Sequence, residues 1–278
     1  MRLGAPVFVK TDDSAELARA HRRKGFRAAY CPKVSLSDPA RVRAVRDAYT
    51  TEGVVIAEVG AWCNFIAPDP EVRRKNQAYV CERLALADEV GALCCVDYTG
   101  TFHPDSNTAP HPMNLTRDCF DLIVESARKI IDAVRPGRAK FTLEMMPAVF
   151  PDSADSYAEL IAAVDRPALG VHLDPVNIIT SPSRCFRNGE VIRECFEKLG
   201  RHVISCHGKD VTLKDSFIVE IRECRPGAGT LDYRAFLTEL SRLPGDTPLM
   251  LEHLREEADY DLARDYVVSV AGELGLSF

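Results

Sequence analysis

The chain has 278 residues, 46% of them hydrophobic and 27% charged, and its 41 acidic against 35 basic residues leave a net charge of −6. That balance is too apolar for a disordered chain, and no apolar run approaches the ~18 residues that a membrane span requires. A negative net charge also argues against a nucleic-acid scaffold, because phosphate binding rests on clustered Lys and Arg.

Short β-branched runs alternate with longer amphipathic stretches from end to end. Strands are predicted at 3–9, 27–30, 54–59, 93–96, 141–144, 169–173, 203–206 and 249–251. After the first comes SAELARAHRRKG, where Ser14 can cap a helix and Gly25 sits just past its end. NQAYVCERLALADEVG follows the third strand, and CFDLIVESARKIIDAV follows the fourth, closed by Pro136 and Gly137. Parallel neighbours need a crossover, and helices supply it. Eight such units in this length predict one (β/α)8 TIM barrel domain over residues 1–278, for which roughly 250 residues is typical. An open doubly wound sheet would show a glycine-rich turn after its first strand, and VFVKTDDSAE has none. The stretches 99–115 and 208–233 are longer than a crossover needs. They are read as functional loops on the C-terminal face, where barrel active sites lie.

MRLGAPVFVK lacks the apolar core and cleavage site of a secretory leader. None of the ten cysteines forms a CxxC pair, and most lie in apolar strings such as GALCCVDY. They are read as reduced, structural thiols of a cytoplasmic protein.

A polar residue at the C-terminal end of a barrel strand points at the common mouth. Strand five ends FTLE at Glu144, strand six GVHLD at Asp174, strand seven ISCH at His207, and strand eight LMLE at Glu252. Any one of these could be a turn or capping residue. Four on successive strands point to a site, and three converging carboxylates would repel one another without a cation between them. Three oxygen donors with one nitrogen suit an octahedral divalent ion, Mn²⁺ first, then Mg²⁺ or Co²⁺, with Zn²⁺ as the second choice.

With LEMMP around Glu144, HLDPVN around Asp174, SCHGKD around His207, RPGAGTLDY at 225–233 and LEH around Glu252, the chain resembles the xylose-isomerase-like barrel superfamily of sugar phosphate isomerases and epimerases. The resemblance covers nearly the whole chain. It implies that the four ligands hold manganese or cobalt, and that Glu144 and Glu252 also serve as an acid–base pair on opposite faces of the substrate carbon. The expected activity is metal-dependent isomerisation or epimerisation of a sugar, sugar phosphate or keto-polyol through an enediolate that the ion stabilises. Expulsion of a β-hydroxyl by the same apparatus would make a dehydratase, as in the inosose dehydratases of the superfamily. A multi-zinc apurinic endonuclease would want more histidines than these seven and a basic groove. A sugar-binding barrel without turnover is the non-enzyme alternative. The expected partner is a small carbohydrate, with no nucleic acid and no membrane. Barrels of this superfamily are often dimers or tetramers.

Further mouth residues follow from position. Glu58, Trp62 and Asn64 lie in EVGAWCNF after strand three, and His103 and His111 in the loop after strand four. Lys209 follows His207 by two, Asp210 could orient a ligand, and Arg225 opens the RPGAG turn. His172 shares the face of Asp174 and should lie just below the ion. Asn177 stands where epimerases of the superfamily usually carry a substrate-binding histidine, which counts against a free ketose.

Overall fold

The computed structural model describes residues 1–243, 245 and 247–278. Eight parallel strands close into a barrel, as the alternation of strand and helix patterns predicted. In chain order these are β1 (Arg2–Gly4), β2 (Ala28–Tyr30), β3 (Val55–Gly60), β4 (Cys94–Asp97), β5 (Lys140–Glu144), β6 (Leu169–Leu173), β7 (Val203–Gly208) and β10 (Pro248–Leu251). Closure is made by β1, which pairs with β10 through Leu3 and Leu249 and with β2 through Gly4 and Ala28. A side chain on Gly4 would collide with Met250 Sδ and the Ala28 carbonyl, so the seam needs glycine there. This first strand is shorter than the predicted 3–9. Pro6 has no N–H to give to a ladder, and the chain leaves the sheet before it.

The helices pack outside the strands. α1 (Ser14–Arg23) starts one residue earlier than a Ser14 cap would require, because the Asp13 carboxylate accepts from Ala15 N at 2.9 Å. α3 (Pro70–Val90) begins six residues before the predicted stretch, since Asp69 caps it and Pro70 fits its first turn. α4 (Arg117–Val134) is capped by Thr116 and ends on Arg135 in the left-handed region. Leu84, Ile123, Tyr157, Phe236 and Val267, from five of the helices, are buried in the core. The Tyr157 hydroxyl reaches the main chain of both β5 and β6, accepting from Leu143 N and lying 3.0 Å from the Gly170 carbonyl. All ten cysteines are free thiols. Among the described residues, no helix is long and apolar enough to cross a membrane.

The stretch 208–233 is not a plain loop. It contains an antiparallel hairpin, β8 (Asp210–Leu213) with β9 (Ile221–Cys224), standing on the barrel top. Asp210 fastens its base. Its carboxylate accepts four main-chain N–H groups, from Val211, Gly227, Gly229 and Leu231, at 2.7–3.1 Å. The Tyr233 hydroxyl adds a bond to the Lys209 carbonyl. Asp210 thus shapes the segment carrying Lys209 and Glu223 instead of touching a candidate ligand.

Hydrogen bonds to a charged acceptor each contribute about 1.5–3 kcal/mol, and some of the freed N–H groups will find water. Asp210→Ala should therefore lower the unfolding free energy in urea by about 3 kcal/mol and open 208–233 to proteolysis first. Unchanged stability and cleavage would show that the hairpin stands without this clamp.

Candidate metal centre and active site

The closed barrel brings the four strand-end residues together. Glu144 ends β5, Asp174 follows β6, His207 lies in β7 and Glu252 follows β10. These strands are neighbours in the barrel in the order β10, β7, β6, β5. Each residue offers one ligand-type atom within 4.8 Å of the other three. His207 Nδ1 lies 3.0 Å from Glu144 Oε1, 3.0 Å from Glu252 Oε1 and 3.8 Å from Asp174 Oδ2. Asp174 and His207 are fully buried, and Glu144 is 6% exposed.

The other ring nitrogen sets the orientation of this imidazole. His207 Nε2 lies 3.2 Å from Glu58 Oε1, and the second Glu58 oxygen accepts from Ser205 Oγ at 3.2 Å. With Nε2 held by that carboxylate, Nδ1 is the nitrogen turned toward the three acids and the one that a cation, when bound, would take. Glu58 therefore lies under the site, 1% exposed, and not in the mouth. His172 is fully buried beside it, its ring 4.0 Å from that of His207 and Nδ1 3.5 Å from Glu58 Oε2. It sits below the ligands, in a layer that also holds Cys94, out of reach of a molecule in the mouth.

Burial and charge oppose one another here. Burial raises the pKa of Glu144, but the positive charge of His207 and then Lys209 outweighs it and holds the carboxyl well below its usual range. Glu252, under the same influences, is brought down to about 2. Asp174 goes the other way, to about 7, through burial with the repulsion of Glu144 and Glu252, against the attraction of Lys209. Three acids raise His207 well above the ordinary imidazole range although burial pushes it down. Lys209 Nζ stands 2.7 Å from both Asp174 Oδ2 and Glu252 Oε1. Even so, neither oxygen receives a well-directed hydrogen bond, and both are buried. Two such oxygens with a third carboxylate and a directed imidazole nitrogen form a donor set that fits a hard divalent cation.

A cavity of about 530 Å³ opens above these residues, lined by Tyr30, Trp62, Tyr98, Thr108, Glu144, Met146, Asn177, Lys209, Glu223, Glu252, His253 and Tyr260. A larger groove of about 680 Å³ lies far from the strand ends, among Asp121, Glu125, Arg128 and Arg166 on the outer helices. Trp62, Asn177 and Lys209 are the sequence-predicted substrate contacts that reach the cavity. Asn177 Nδ2 donates to Glu144 Oε1 at 3.0 Å and to the Met145 carbonyl at 3.1 Å, so it also holds that glutamate.

The remaining candidates lie elsewhere, each engaged outside the cavity. Asn64 is 3% exposed and donates to the Thr101 carbonyl. His103 Nδ1 accepts from Asp105 N, while His111 caps a short 3-10 turn, Pro112–Leu115, and stacks on Phe102. The Arg225 guanidinium donates to the Pro226 carbonyl and faces Asp259. Several lining residues escaped the sequence reading. Tyr30 and Tyr98 stand at or just past the ends of β2 and β4, where the strand-end rule could have found them. His253 follows Glu252 with a φ of 60° and meets Glu223 from the hairpin at 3.1 Å. Glu223 needed the β8–β9 pairing to come near the site. Tyr260 on α9 (Glu257–Glu273) carried no sequence signal.

Fold and site together define a (β/α)8 barrel with a candidate divalent-metal centre at its C-terminal mouth. The chain belongs to the xylose isomerase-like TIM barrel family, whose model matches residues 14–269. Solved structures share the architecture. A xylose isomerase-like TIM barrel protein from Mycobacterium smegmatis, in complex with magnesium, is 19% identical with a TM-score of 0.67 over 93% of this chain and 88% of that one. D-psicose 3-epimerase from Clostridium cellulolyticum, solved with D-tagatose, is 14% identical with a TM-score of 0.70 over 100% of both chains. Endonuclease IV from Thermus thermophilus is 15% identical with a TM-score of 0.73 over 98% and 100%. At these identities the likeness is one of fold. No curated protein matches the chain in sequence.

Loss of a hydrogen-bonded partner behind a metal-bound histidine typically costs 10–100-fold in metal affinity. Glu58→Ala should weaken manganese binding by about that factor in competition against a chelating indicator, while the far-ultraviolet circular dichroism stays unchanged. Undiminished affinity would remove Glu58 from the centre.

Proposed function

We propose that the protein is a divalent-metal-dependent isomerase or epimerase acting on a sugar or related keto-polyol, with manganese held by Glu144, Asp174, His207 and Glu252. The observation that carries this reading is the placement of two carboxylates on either side of one imidazole. In the barrel order, His207 and Asp174 on β7 and β6 stand between Glu252 after β10 and Glu144 on β5. A carbonyl compound seated over that floor would have a carboxylate on each side.

The cation, when bound, supplies polarisation of a substrate carbonyl, which acidifies the neighbouring C–H bond. Glu144 and Glu252 supply the proton movement. Both are held in the ionised form, so each is ready as a base and becomes an acid only after taking up a proton, from the substrate or from solvent. Inversion of a carbon, which is epimerisation, requires one carboxylate to accept the proton while the other, first charged with a proton from solvent, delivers it to the opposite face. A proton returned by the same carboxylate to the adjacent carbon gives isomerisation. Asn177 keeps the Glu144 carboxylate from turning, and Lys209 supplies fixed positive charge between Asp174 and Glu252. The cavity walls include three glutamates, and this lining disfavours a polyanion such as DNA.

Manganese-loaded protein should convert at least one member of a panel of ketoses and keto-polyols in deuterated water into an isomer carrying one solvent deuterium at the reacting carbon. Glu144→Gln and Glu252→Gln should each lower the rate about 10²–10⁴-fold. Products lighter by one water would assign a dehydratase, and catalytic silence across the panel would remove the isomerase reading.

A further inference from the structure

The cavity has more room than one sugar ring uses, and its upper wall is aromatic carbon. Its volume of about 530 Å³ corresponds to about 18 waters at ~30 Å³ each, more than twice what a single pyranose displaces. Tyr30, Trp62, Tyr98 and Tyr260 line it together with Met146. The three phenol oxygens are already engaged by the main chain. Tyr30 donates to the Leu251 carbonyl at 3.1 Å, Tyr98 donates to the Trp62 carbonyl at 3.0 Å, and Tyr260 accepts from Leu254 N at 3.3 Å. A tyrosine whose oxygen is tied down offers a ligand its ring face. The Trp62 indole is positioned by its backbone instead. Its backbone is held at a φ of 51° while Cys63 N donates to the buried Asp97, and the ring stays 39% exposed, 6.0 Å from that of Tyr98. A side chain on Gly60 would collide with that indole, so the strand end is cut back to let it lie over the cavity.

Charge points to the same kind of ligand. The cavity's two basic side chains are taken: Lys209 lies 2.7 Å from Asp174 and Glu252, and His253 lies 3.1 Å from Glu223. Among the described residues, no arginine lines it. A phosphate or second carboxylate against this wall would meet Glu223 and no free basic side chain, and desolvating an anion without a partner is strongly unfavourable. Aromatic faces instead suit the C–H face of a sugar or a flat apolar group.

We propose that the aromatic wall is a second-ring subsite, and that the cavity takes an uncharged glycoside. One sugar ring rests on the polar floor, and the attached sugar or aryl group lies against Trp62, Tyr98 and Tyr260. The proposal rests on the sugar-isomerase reading only in taking the polar end of the ligand to be a sugar.

Trp62 is the sole tryptophan of the chain, so its emission reports occupancy without turnover. Magnesium-loaded protein titrated with D-glucose, D-glucose 6-phosphate, cellobiose and phenyl β-D-glucoside should bind the two glycosides at least tenfold more tightly than D-glucose. The phosphate should bind no more tightly than D-glucose. By calorimetry, Tyr98→Ala should lose most of the glycoside advantage and leave D-glucose affinity within about twofold, whereas Tyr260→Phe should keep the advantage. Tightest binding of the phosphate, equal binding of glucose and glycosides, or no response of Trp62 to any probe would overturn the subsite. The two readings fail separately. Glycoside binding without turnover of any keto sugar removes the isomerase and keeps the subsite, whereas turnover of free ketoses with no glycoside advantage does the reverse.

Discussion

Taking a carboxylate out of water costs several kcal/mol unless charge or hydrogen bonds compensate it, and this barrel gathers four around a single imidazole. Glu144, Asp174 and Glu252 converge on one nitrogen of His207, and Glu58 holds the other. Much of the surrounding polar structure answers that cost. His207 and Lys209 bring positive charge, Asn177 and Ser205 bring donors, and Val176 N bonds the inner oxygen of Asp174. One oxygen of Asp174 and one of Glu252 lie 2.7 Å from Lys209 Nζ, buried and without a well-directed hydrogen bond. A site that still concentrates negative charge after its own chain has supplied its donors is one prepared for a cation.

The compensation comes from a distance in the fold. Lys209 reaches the acids because Asp210, the next residue, is locked by four main-chain N–H groups, three of them from the 227–231 turn. The same lock sets the root of the hairpin, and the hairpin carries Glu223 to His253. One buried aspartate that touches no candidate ligand thus links the turn, the hairpin and the charge balance of the centre.

The parts legible in the sequence were those with a local cause. Period and spacing are enough to give the strands and helices of a (β/α)8 barrel, and the strand-end rule finds Glu144, Asp174, His207 and Glu252 because their position along a strand decides where they point. Features that depend on two distant segments were not legible. The β8–β9 pairing is set by register between residues on either side of a turn, and neither half has a strongly alternating pattern. Glu58 was visible as a strand residue. Its burial beneath His207 follows from its level in the barrel, four strands away on the closed cylinder. His103, His111 and Arg225 show the converse error: their residue types suggest chemistry, but local bonds to Asp105 N, Met113 N and the Pro226 carbonyl hold them in their own turns.

The mouth divides its work between two sides of the barrel. The candidate ligands come from β5, β6, β7 and β10, while the aromatic wall comes from the ends of β2, β3 and β4 and from α9. The two sets meet at few points, such as Tyr30 bonding the Leu251 carbonyl beside Glu252. Such a division lets one set change without disturbing the other: a loop after β3 or β4 can be rebuilt around a different molecule while four strand ends keep the same geometry. A shared barrel therefore leaves the reaction open, since solved structures with this fold are as different as an epimerase and an endonuclease. In this chain the discriminating information lies in the wall, where the Tyr98 hydroxyl is tied to the Trp62 carbonyl, the two rings lie 6.0 Å apart, and the basic side chains are already paired with acids.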